Sequence, residues 1–425
     1  MAGRRRGGAS ALVYLAPIVG VAVIYAVTRP ARPREIATPA EIRPAAPSLS
    51  LTADQRAFFG EALSGWAEVL EATKADAVDE RVALMQVADR RLEAAAERAG
   101  LPLEVRESLR AAIALIRRAI VGGREFLVDA DAVDAAIGKL STSLADAGIP
   151  VAIDGALLEI GGGRIFGWEL FAVVDSIVCQ SSEGQVHVRR VRRFDGAPAS
   201  ASLLGLTRPG GRDPLLFLDA IEALSAEQID PALDGKSLPL SDDRTPYDQR
   251  GELEVRGGEL ARALGQPGWA VIDMTARHET RHRLDYTAGA QKLLAPEPLA
   301  ALLVGVPDDD PHSEAARLEL RAYLADLVYV PERSGFLLLF MARGLVEPTL
   351  HGTATSLAAV VIVEEVAREL GVPRAPLVVD HRIDRAAVAR TLLAAAARPS
   401  TEIAAAAARV WARLYGDDVH PIDCH

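Results

Sequence analysis

Residues 276–285 read Ala276-Arg-His-Glu-Thr-Arg-His-Arg-Leu-Asp285 and contain an H-E-x-x-H motif at His278, Glu279 and His282. The run before them contains no Pro or Gly and keeps a helical spacing of apolar residues, so the pattern predicts one long helix. Side chains four residues apart lie above one another on a helix, so both imidazoles can bind one metal ion. The competing interpretation is a charged surface helix in which Glu279 pairs with Arg283.

A third ligand has to come from another element, because a catalytic zinc ion usually has three protein ligands and one open position. The extended form of the motif, H-E-x-x-H-x-x-G-x-x-H, is excluded since Asp285 and Ala288 stand at its last two defined positions. A second predicted helix, with Ser313 as its N-cap, carries Glu319 on a face that is otherwise rich in alanine. Glu314 is the alternative ligand, about one and a half turns earlier.

These two elements resemble the gluzincin branch of the zinc metallopeptidases, in which H-E-x-x-H is followed by a glutamate on a later helix. The resemblance covers residues 269–326. It departs from the best-known form, which has an Asn-Glu pair, because Leu318 precedes Glu319 here. The resemblance implies a mostly helical zinc domain that follows a sheet, and an edge strand of this sheet that can pair with an extended peptide substrate.

The resemblance also assigns roles to residues of the site. Zn²⁺ would be the cofactor, held by His278, His282 and Glu319, and Glu279 would be the general base for the attacking water. Tyr323, one turn after Glu319, is either a group that stabilises the oxyanion or a half-buried helix tyrosine. Two further candidates stay open: Asp285 either orients an imidazole or is a surface acid, and His351 either joins the site or is a free loop histidine.

Length and composition restrict the class of protein. Of the 425 residues, 50% are hydrophobic and 25% are charged, which is typical of globular domains. The formal net charge of −11 argues against nucleic acid as a partner, because nucleic-acid binders neutralise phosphates with basic residues. The two cysteines, Cys179 and Cys424, form no metal-binding pattern, and a disulfide between them depends on an oxidising compartment.

The N-terminal 50 residues predict a membrane anchor. Residues 1–8 are a basic tail, residues 9–28 contain an uncharged run of 19 residues that is long enough to span a bilayer, and residues 29–50 are a Pro-rich linker. A cleaved signal peptide is the competing reading, although its apolar region is normally shorter. Arginines flank both ends of the run, so the distribution of positive charge does not decide the orientation of the span. The short basic tail before the span is typical of a signal anchor, and we therefore expect the body on the periplasmic or cell-envelope side.

The remaining chain predicts an α+β protein that is predominantly helical. A helical module without evident chemistry, residues 51–148, precedes one zincin-like domain, residues 149–425. Within this domain we predict a small antiparallel sheet in residues 149–220 and the two active-site helices in residues 268–330. A set of C-terminal helices follows in residues 331–425.

Three β-rich segments, residues 151–160, 168–180 and 185–194, make up the predicted sheet. Its last strand carries four arginines at positions 189, 190, 192 and 193. They indicate either a solvated or edge-protecting strand face, or a surface that recognises an acidic substrate or a lipid headgroup.

The sequence therefore predicts a membrane-anchored, zinc-dependent metallopeptidase with a peptide or protein substrate and no nucleic-acid partner. Its oligomeric state is not determined by these patterns. The alternative is a noncatalytic, membrane-tethered helical scaffold in which the metal is structural or absent. Metal content separates the enzyme from a scaffold without a metal, because the enzyme needs a metal with an open coordination position.

Overall fold

The computed structural model of the chain describes residues 51–63, 78–122, 130–160, 163–194, 204–208, 213–226, 250–264, 267–290, 293–346, 353–373, 376–379 and 382–425. The predicted basic tail, membrane anchor and Pro-rich linker lie outside these residues, as does His351. Within them, no helix combines the length and apolar character that a bilayer crossing requires. The described chain is predominantly helical with one larger sheet, which confirms the α+β class.

The helical module consists of short and long helices separated by breaks in the chain. Thr52 opens the first helix with a capping box, in which its hydroxyl accepts from the Gln55 N–H and the Gln55 side chain accepts from the Thr52 N–H. Gly100, with φ of +64°, separates the two long helices. The elements are α1 (Ala53–Ala57), a π-helical turn (Phe58–Leu63), α2 (Val78–Arg98), α3 (Leu103–Gly122) and α4 (Ala130–Asp146).

The larger sheet follows the helical module. Its strands are β1 (Val151–Ile160), β2 (Gly163–Ser181), β3 (Gly184–Arg193), β4 (Gly205–Leu206), β5 (Leu215–Phe217) and β8 (Asp423–Cys424). The order is β1-β2-β3-β5-β4, with β3 and β5 parallel and the other pairs antiparallel. The long strand β2 pairs with β1 over its first half, and β8 pairs with its second half. The predicted antiparallel β1-β2-β3 arrangement is confirmed, and the parallel strand β5 was not predicted.

Strand β3 pairs with β2 on one side and, at residues 189–191, with β5 on the other, so Arg189 and Arg190 do not lie on a free sheet edge, whereas the arginine side chains stay partly exposed. Each of the four arginines forms an ion pair within the chain. The partners are Asp213 for Arg189, Asp175 for Arg190, Asp219 and Glu222 for Arg192, and Glu169 for Arg193. The sequence does not reveal this neighbour because β5, which pairs with residues 189–191 of β3, is only three residues long and has no readable period.

The remaining described elements are mostly helices. They are α5 (Leu218–Leu224), α6 (Arg250–Ala263), α7 (Pro267–Ala288), α8 (Glu297–Ala300), α9 (Pro311–Tyr329), a 3-10 turn (Pro331–Arg333), α10 (Ser334–Val346), α11 (Ala354–Glu369), β6 (Val378–Val379), β7 (Arg382–Ile383), α12 (Arg385–Ala396) and α13 (Ser400–Tyr415). Helix α9 begins at Pro311, two residues before the predicted N-cap Ser313. Its N-cap is Asp310, whose side chain accepts from the His312 N–H, and Pro311 occupies the first turn.

The motif helix α7 lies in the main core, between the sheet and the C-terminal helices. Its buried residues Val271 and Met274 pack in the same cluster as Val188 of β3 and Leu324 of α9. The helical module packs on the other half of the sheet, where Ile153 shares a second cluster with α4. The motif helix is therefore fixed from several sides, which allows it to hold polar groups in defined positions.

A disulfide connects the C-terminus of the chain to the sheet. Cys179 of β2 bonds to Cys424 of β8, across a sequence separation of 245 residues. The main chains of Val178 and His425 exchange two hydrogen bonds next to it. The C-terminal strand therefore covers the edge of β2 that β1 leaves open.

Candidate metal centre

Two imidazoles and a carboxylate converge between α7 and α9. The Nε2 atoms of His278 and His282 are 3.0 Å apart. Glu319 places Oε2 at 3.6 Å from Nε2 of His278 and Oε1 at 3.7 Å from Nε2 of His282. Ligand atoms of the three residues all lie within 4.8 Å of one another. The structure thus brings together the three residues that the sequence predicts as ligands.

The packing of the two helices explains this convergence. His278 contacts Asp326 and His282 lies near Glu319, so α7 and α9 run antiparallel. Fully buried alanines on α9, Ala316 and Ala322, leave room for the close approach of the two helices. The alanine-rich face that the sequence shows around Glu319 therefore packs in the core.

Asp326 contacts the first imidazole from the side opposite to the cluster. Its Oδ2 atom lies 2.8 Å from Nδ1 of His278. When Nδ1–H donates to this carboxylate, Nε2 carries the lone pair that a metal ligand needs. This hydrogen bond fixes both the tautomer and the orientation of the ring. The Nδ1 atom of His282, by contrast, has no hydrogen-bond partner in the part of the chain that the structure describes.

Electrostatics differ between the two imidazoles. Burial alone would lower the pKa of His278, but the carboxylates of Asp326 and Glu319 raise this pKa well above its ordinary value. Burial, together with the charge on His278, lowers the pKa of His282 to about 3. Two unprotonated Nε2 atoms at 3.0 Å repel each other unless a proton or a cation lies between them. The position between the two nitrogens can therefore hold either a proton or a shared cation.

The donor set fits a divalent metal ion. Two imidazole nitrogens and one carboxylate oxygen form the protein ligand set of several catalytic zinc sites, and the set also suits other first-row metals. Glu314, the alternative third ligand, is not in the group of three. The geometry therefore favours Glu319 over Glu314.

Glu279 is buried next to the two histidines, so the interpretation of a charged surface helix is wrong. Only 6% of Glu279 is exposed, and His282 and Arg283 are buried as well. The Thr207 hydroxyl donates to Oε2 of Glu279 at 2.7 Å. Burial raises the pKa of Glu279 to about 7, against the opposing effects of the charge on His278 and the Thr207 hydrogen bond. This pKa suits a general base near neutral pH.

Strand β4 lies directly against Glu279. A Cβ atom built on Gly205 would come within 2.5 Å of Cγ and Oε1 of Glu279. A residue with a side chain at this position would displace the carboxylate or the strand. Two residues further on, the hydroxyl of Thr207 contacts both the carboxylate and the main-chain oxygen of Glu279. Serine is the residue that could replace Thr207 with a hydroxyl in a similar position.

Two tyrosines lie near the cluster. The ring of Tyr323 is 4.6 Å from the His278 ring, centroid to centroid, so this predicted residue lies beside the candidate ligands. Tyr286 was not predicted. Burial and the nearby carboxylate of Glu314 raise the pKa of Tyr286 to about 12. Tyr286 lies on α7, one turn after His282 and therefore on the same helix face, which is the signal that could have identified it.

Asp285 differs from both of its predicted roles. It is fully buried, and its carboxylate contacts Arg281 and Arg321 rather than an imidazole. It is therefore neither a surface acid nor a hydrogen-bond partner of a ligand. Asp326, and not Asp285, contacts the imidazole of His278 and orients it. It follows Glu319 by seven residues and thus by two helical turns.

No known family model matches this chain, and the curated proteins and solved structures likewise show no match to it.

Proposed function

We propose that this protein is a zinc-dependent metallopeptidase of the gluzincin type. His278, His282 and Glu319 would hold the ion, and Glu279 would act as the general base. The observation that carries the proposal is the convergence of three ligand atoms within 4.8 Å beside a buried glutamate. A merely structural metal site does not need an ionisable group of this kind next to its ligands.

A zinc ion in this site would polarise the scissile carbonyl and lower the pKa of a coordinated water. Glu279 would take a proton from the attacking water and deliver it to the leaving amine. The hydrogen bond from Thr207 holds the carboxylate of Glu279 in one orientation during this transfer. Tyr323, whose ring lies beside His278, is the proposed donor to the oxyanion.

The proposed substrate is an extended peptide or protein segment. Strand β4 pairs with β5 on one side and lies against Glu279 through Gly205. A peptide that added to the other edge of β4 would run past the general base in an extended conformation. This placement agrees with the role of the edge strand in the family that the motif resembles.

We further propose that the protein is anchored in a membrane by residues 9–28, with its body outside the cytoplasm. The disulfide between Cys179 and Cys424 supports this side of the membrane, because disulfides persist in the periplasm and in extracellular space and are rare in the cytosol.

Metal content and turnover together test the proposal. The purified chain should contain about one zinc ion, as expected for a single site with three protein ligands. Glu279→Gln should keep the metal and lose hydrolysis of a peptide library, whereas Glu314→Gln, outside the ligand group, should keep both. A zinc-loaded wild type without hydrolysis, or equal turnover in wild type and Glu279→Gln, contradicts the proposed mechanism.

A further inference from the structure

Two buried carboxylates flank the metal-binding turn of α7. Asp273 lies five residues before His278, and Asp285 lies three residues after His282. Each carboxylate accepts from an arginine one turn away on α7 and from a second arginine contributed by α9 or the turn after it. We call these two arrangements the Asp273 bridge and the Asp285 bridge.

The Asp285 bridge is the more deeply buried of the two. Arg281 and Arg321 lie 2.8 Å and 3.0 Å from the same oxygen, Oδ1 of Asp285. Asp285 is 0% exposed and Arg281 is 1% exposed. Arg321 follows the ligand Glu319 by two residues, so the bridge joins α7 to α9 close to the cluster.

A third helix fixes the far end of the Asp285 bridge. The guanidinium carbon of Arg321 lies 4.7 Å from the ring centroid of Trp411 and 4.5 Å from that of Tyr415, both on α13. Arg321 therefore has little freedom to follow a movement of α7. The position of Asp285 relative to α9 is set by this packing.

The Asp273 bridge joins the other end of the same helix pair. Arg277 and Arg333 lie 3.2 Å and 2.6 Å from the two oxygens of Asp273, and Arg333 belongs to the 3-10 turn that follows α9. Arg277 also donates to the main-chain oxygen of Ile422, next to the disulfide-bonded strand β8. Both ends of the antiparallel α7–α9 pair are thus joined by charged, directional contacts.

Stability alone does not account for these bridges. Replacement of a buried ion pair by well-packed apolar residues is often neutral or stabilising, because desolvation of the charges offsets their attraction. Directional contacts do, however, fix the spacing of two helices, and a metal site needs its ligands within about 0.5 Å of their productive geometry.

We propose that Asp273 and Asp285 are positioning residues of the metal centre: their arginine bridges hold α7 and α9 at the spacing that lets His278, His282 and Glu319 bind one ion. Among the described residues, the ion pairs of both aspartates are with arginines and not with His278, His282 or Glu319. The inference rests on the proposed metal site and not on the peptidase reaction. Metal affinity therefore depends on residues outside the ligand set and its direct hydrogen-bond partners.

The structure contains a matched control on another pair of helices. Glu365 of α11 is 1% exposed and accepts from Arg368 of the same helix and from Arg413 of α13. It has the same architecture as the two bridges, but among the described residues its ion pairs are with α11 and α13 and not with α7 or α9. Glu365→Gln removes a comparable buried charge, and its partners Arg368 and Arg413 form no ion pair with α7 or α9 among the described residues.

The test measures the Kd for Zn²⁺ by competition of the full, metal-free chain with a chromogenic chelator. Asp285→Asn should raise this Kd by about 10-fold, the lower end of the effect of residues that hydrogen-bond a ligand directly, because Asp285 acts through the helix spacing. Glu365→Gln should leave it at the wild-type value. The visible absorption of the Co²⁺-loaded protein should change in Asp285→Asn, because the ligand geometry changes, and should stay the same in Glu365→Gln.

Each outcome decides the inference. A folded Asp285→Asn with the wild-type Kd overturns it, and so does an equal loss of affinity in Glu365→Gln. If Asp285→Asn does not fold, Arg333→Gln at the less buried Asp273 bridge decides in the same way. A wild type that binds no zinc overturns the metal site as well. Normal zinc binding with no peptide hydrolysis contradicts only the peptidase reaction.

Discussion

The Nδ1 atom of His278 lies 2.8 Å from Oδ2 of Asp326, on the side of the imidazole that faces away from the other two candidate ligands. The contact orients the ring and directs its Nε2 lone pair towards His282 and Glu319. A carboxylate in this position also makes the imidazole a stronger donor to a metal ion.

Asp326→Ala should therefore weaken zinc binding without removal of a ligand. We expect the Kd for Zn²⁺ to rise by about 10- to 100-fold, since the ring loses its fixed tautomer and orientation. Competition with a chelator measures the change. Glu314→Ala, on the same helix but outside the ligand group, is the control. Equal affinity in wild type and Asp326→Ala would show that the contact has no role in metal binding.

Thr207→Val should lower turnover and keep the metal. The variant removes the hydroxyl that donates to Glu279 at 2.7 Å, and a hydrogen bond to a charged group contributes about 1.5–3 kcal/mol, so kcat should fall by about 10-fold or more. Thr207→Ser keeps the hydroxyl and should keep most of the turnover. Steady-state kinetics on one peptide substrate compare the three proteins. If the valine and serine variants have the same kcat, the hydroxyl does not orient the base.

Gly205→Ala adds a single methyl group but should lower turnover strongly. The added Cβ would come within 2.5 Å of the Glu279 side chain, so either the strand or the carboxylate has to move. We expect loss of most turnover with the zinc content unchanged. Gly138→Ala is the matched control, because a Cβ at that helical position meets nothing within 4 Å. Wild-type kcat in Gly205→Ala would contradict the close packing of β4 on the base.

The double variant Cys179→Ser/Cys424→Ser should lower the free energy of unfolding. The bond closes a loop of 245 residues, and the chain-entropy model assigns such a loop about 5 kcal/mol, of which native disulfides typically deliver about 2–5 kcal/mol. Denaturant unfolding under non-reducing conditions measures the difference. Treatment of the wild type with a reductant should give the same loss. An unchanged free energy of unfolding in both cases would contradict a stabilising bond.

Local patterns in the sequence were sufficient to identify the three residues that the structure brings together. His278 and His282 lie one turn apart, and Glu319 stands on a helix face whose alanines are recognisable without a structure. Asp326 was within reach of the same reasoning, because it lies two turns after Glu319 on that face. Even the start of α9 had a local signal that was missed, namely Pro311 in the first turn.

Long-range contacts could not be read in the same way. Thr207 is 72 residues away from Glu279, in a segment that carries no motif, and the close approach at Gly205 depends on how β4 pairs with β5. The ion pairs of the β3 arginines were not predicted for a similar reason, since their partners come from distant segments such as Asp219 on α5. Spacing within one helix is fixed by local geometry, whereas these contacts are fixed only by the assembled fold.

A crystal structure of the zinc-loaded chain with anomalous data at the zinc edge tests the proposed metal site most directly. We expect one strong peak at about 2.0–2.2 Å from Nε2 of His278, Nε2 of His282 and a carboxylate oxygen of Glu319. A folded, zinc-soaked protein with no peak between these side chains, or with its zinc bound elsewhere, would contradict the proposed site.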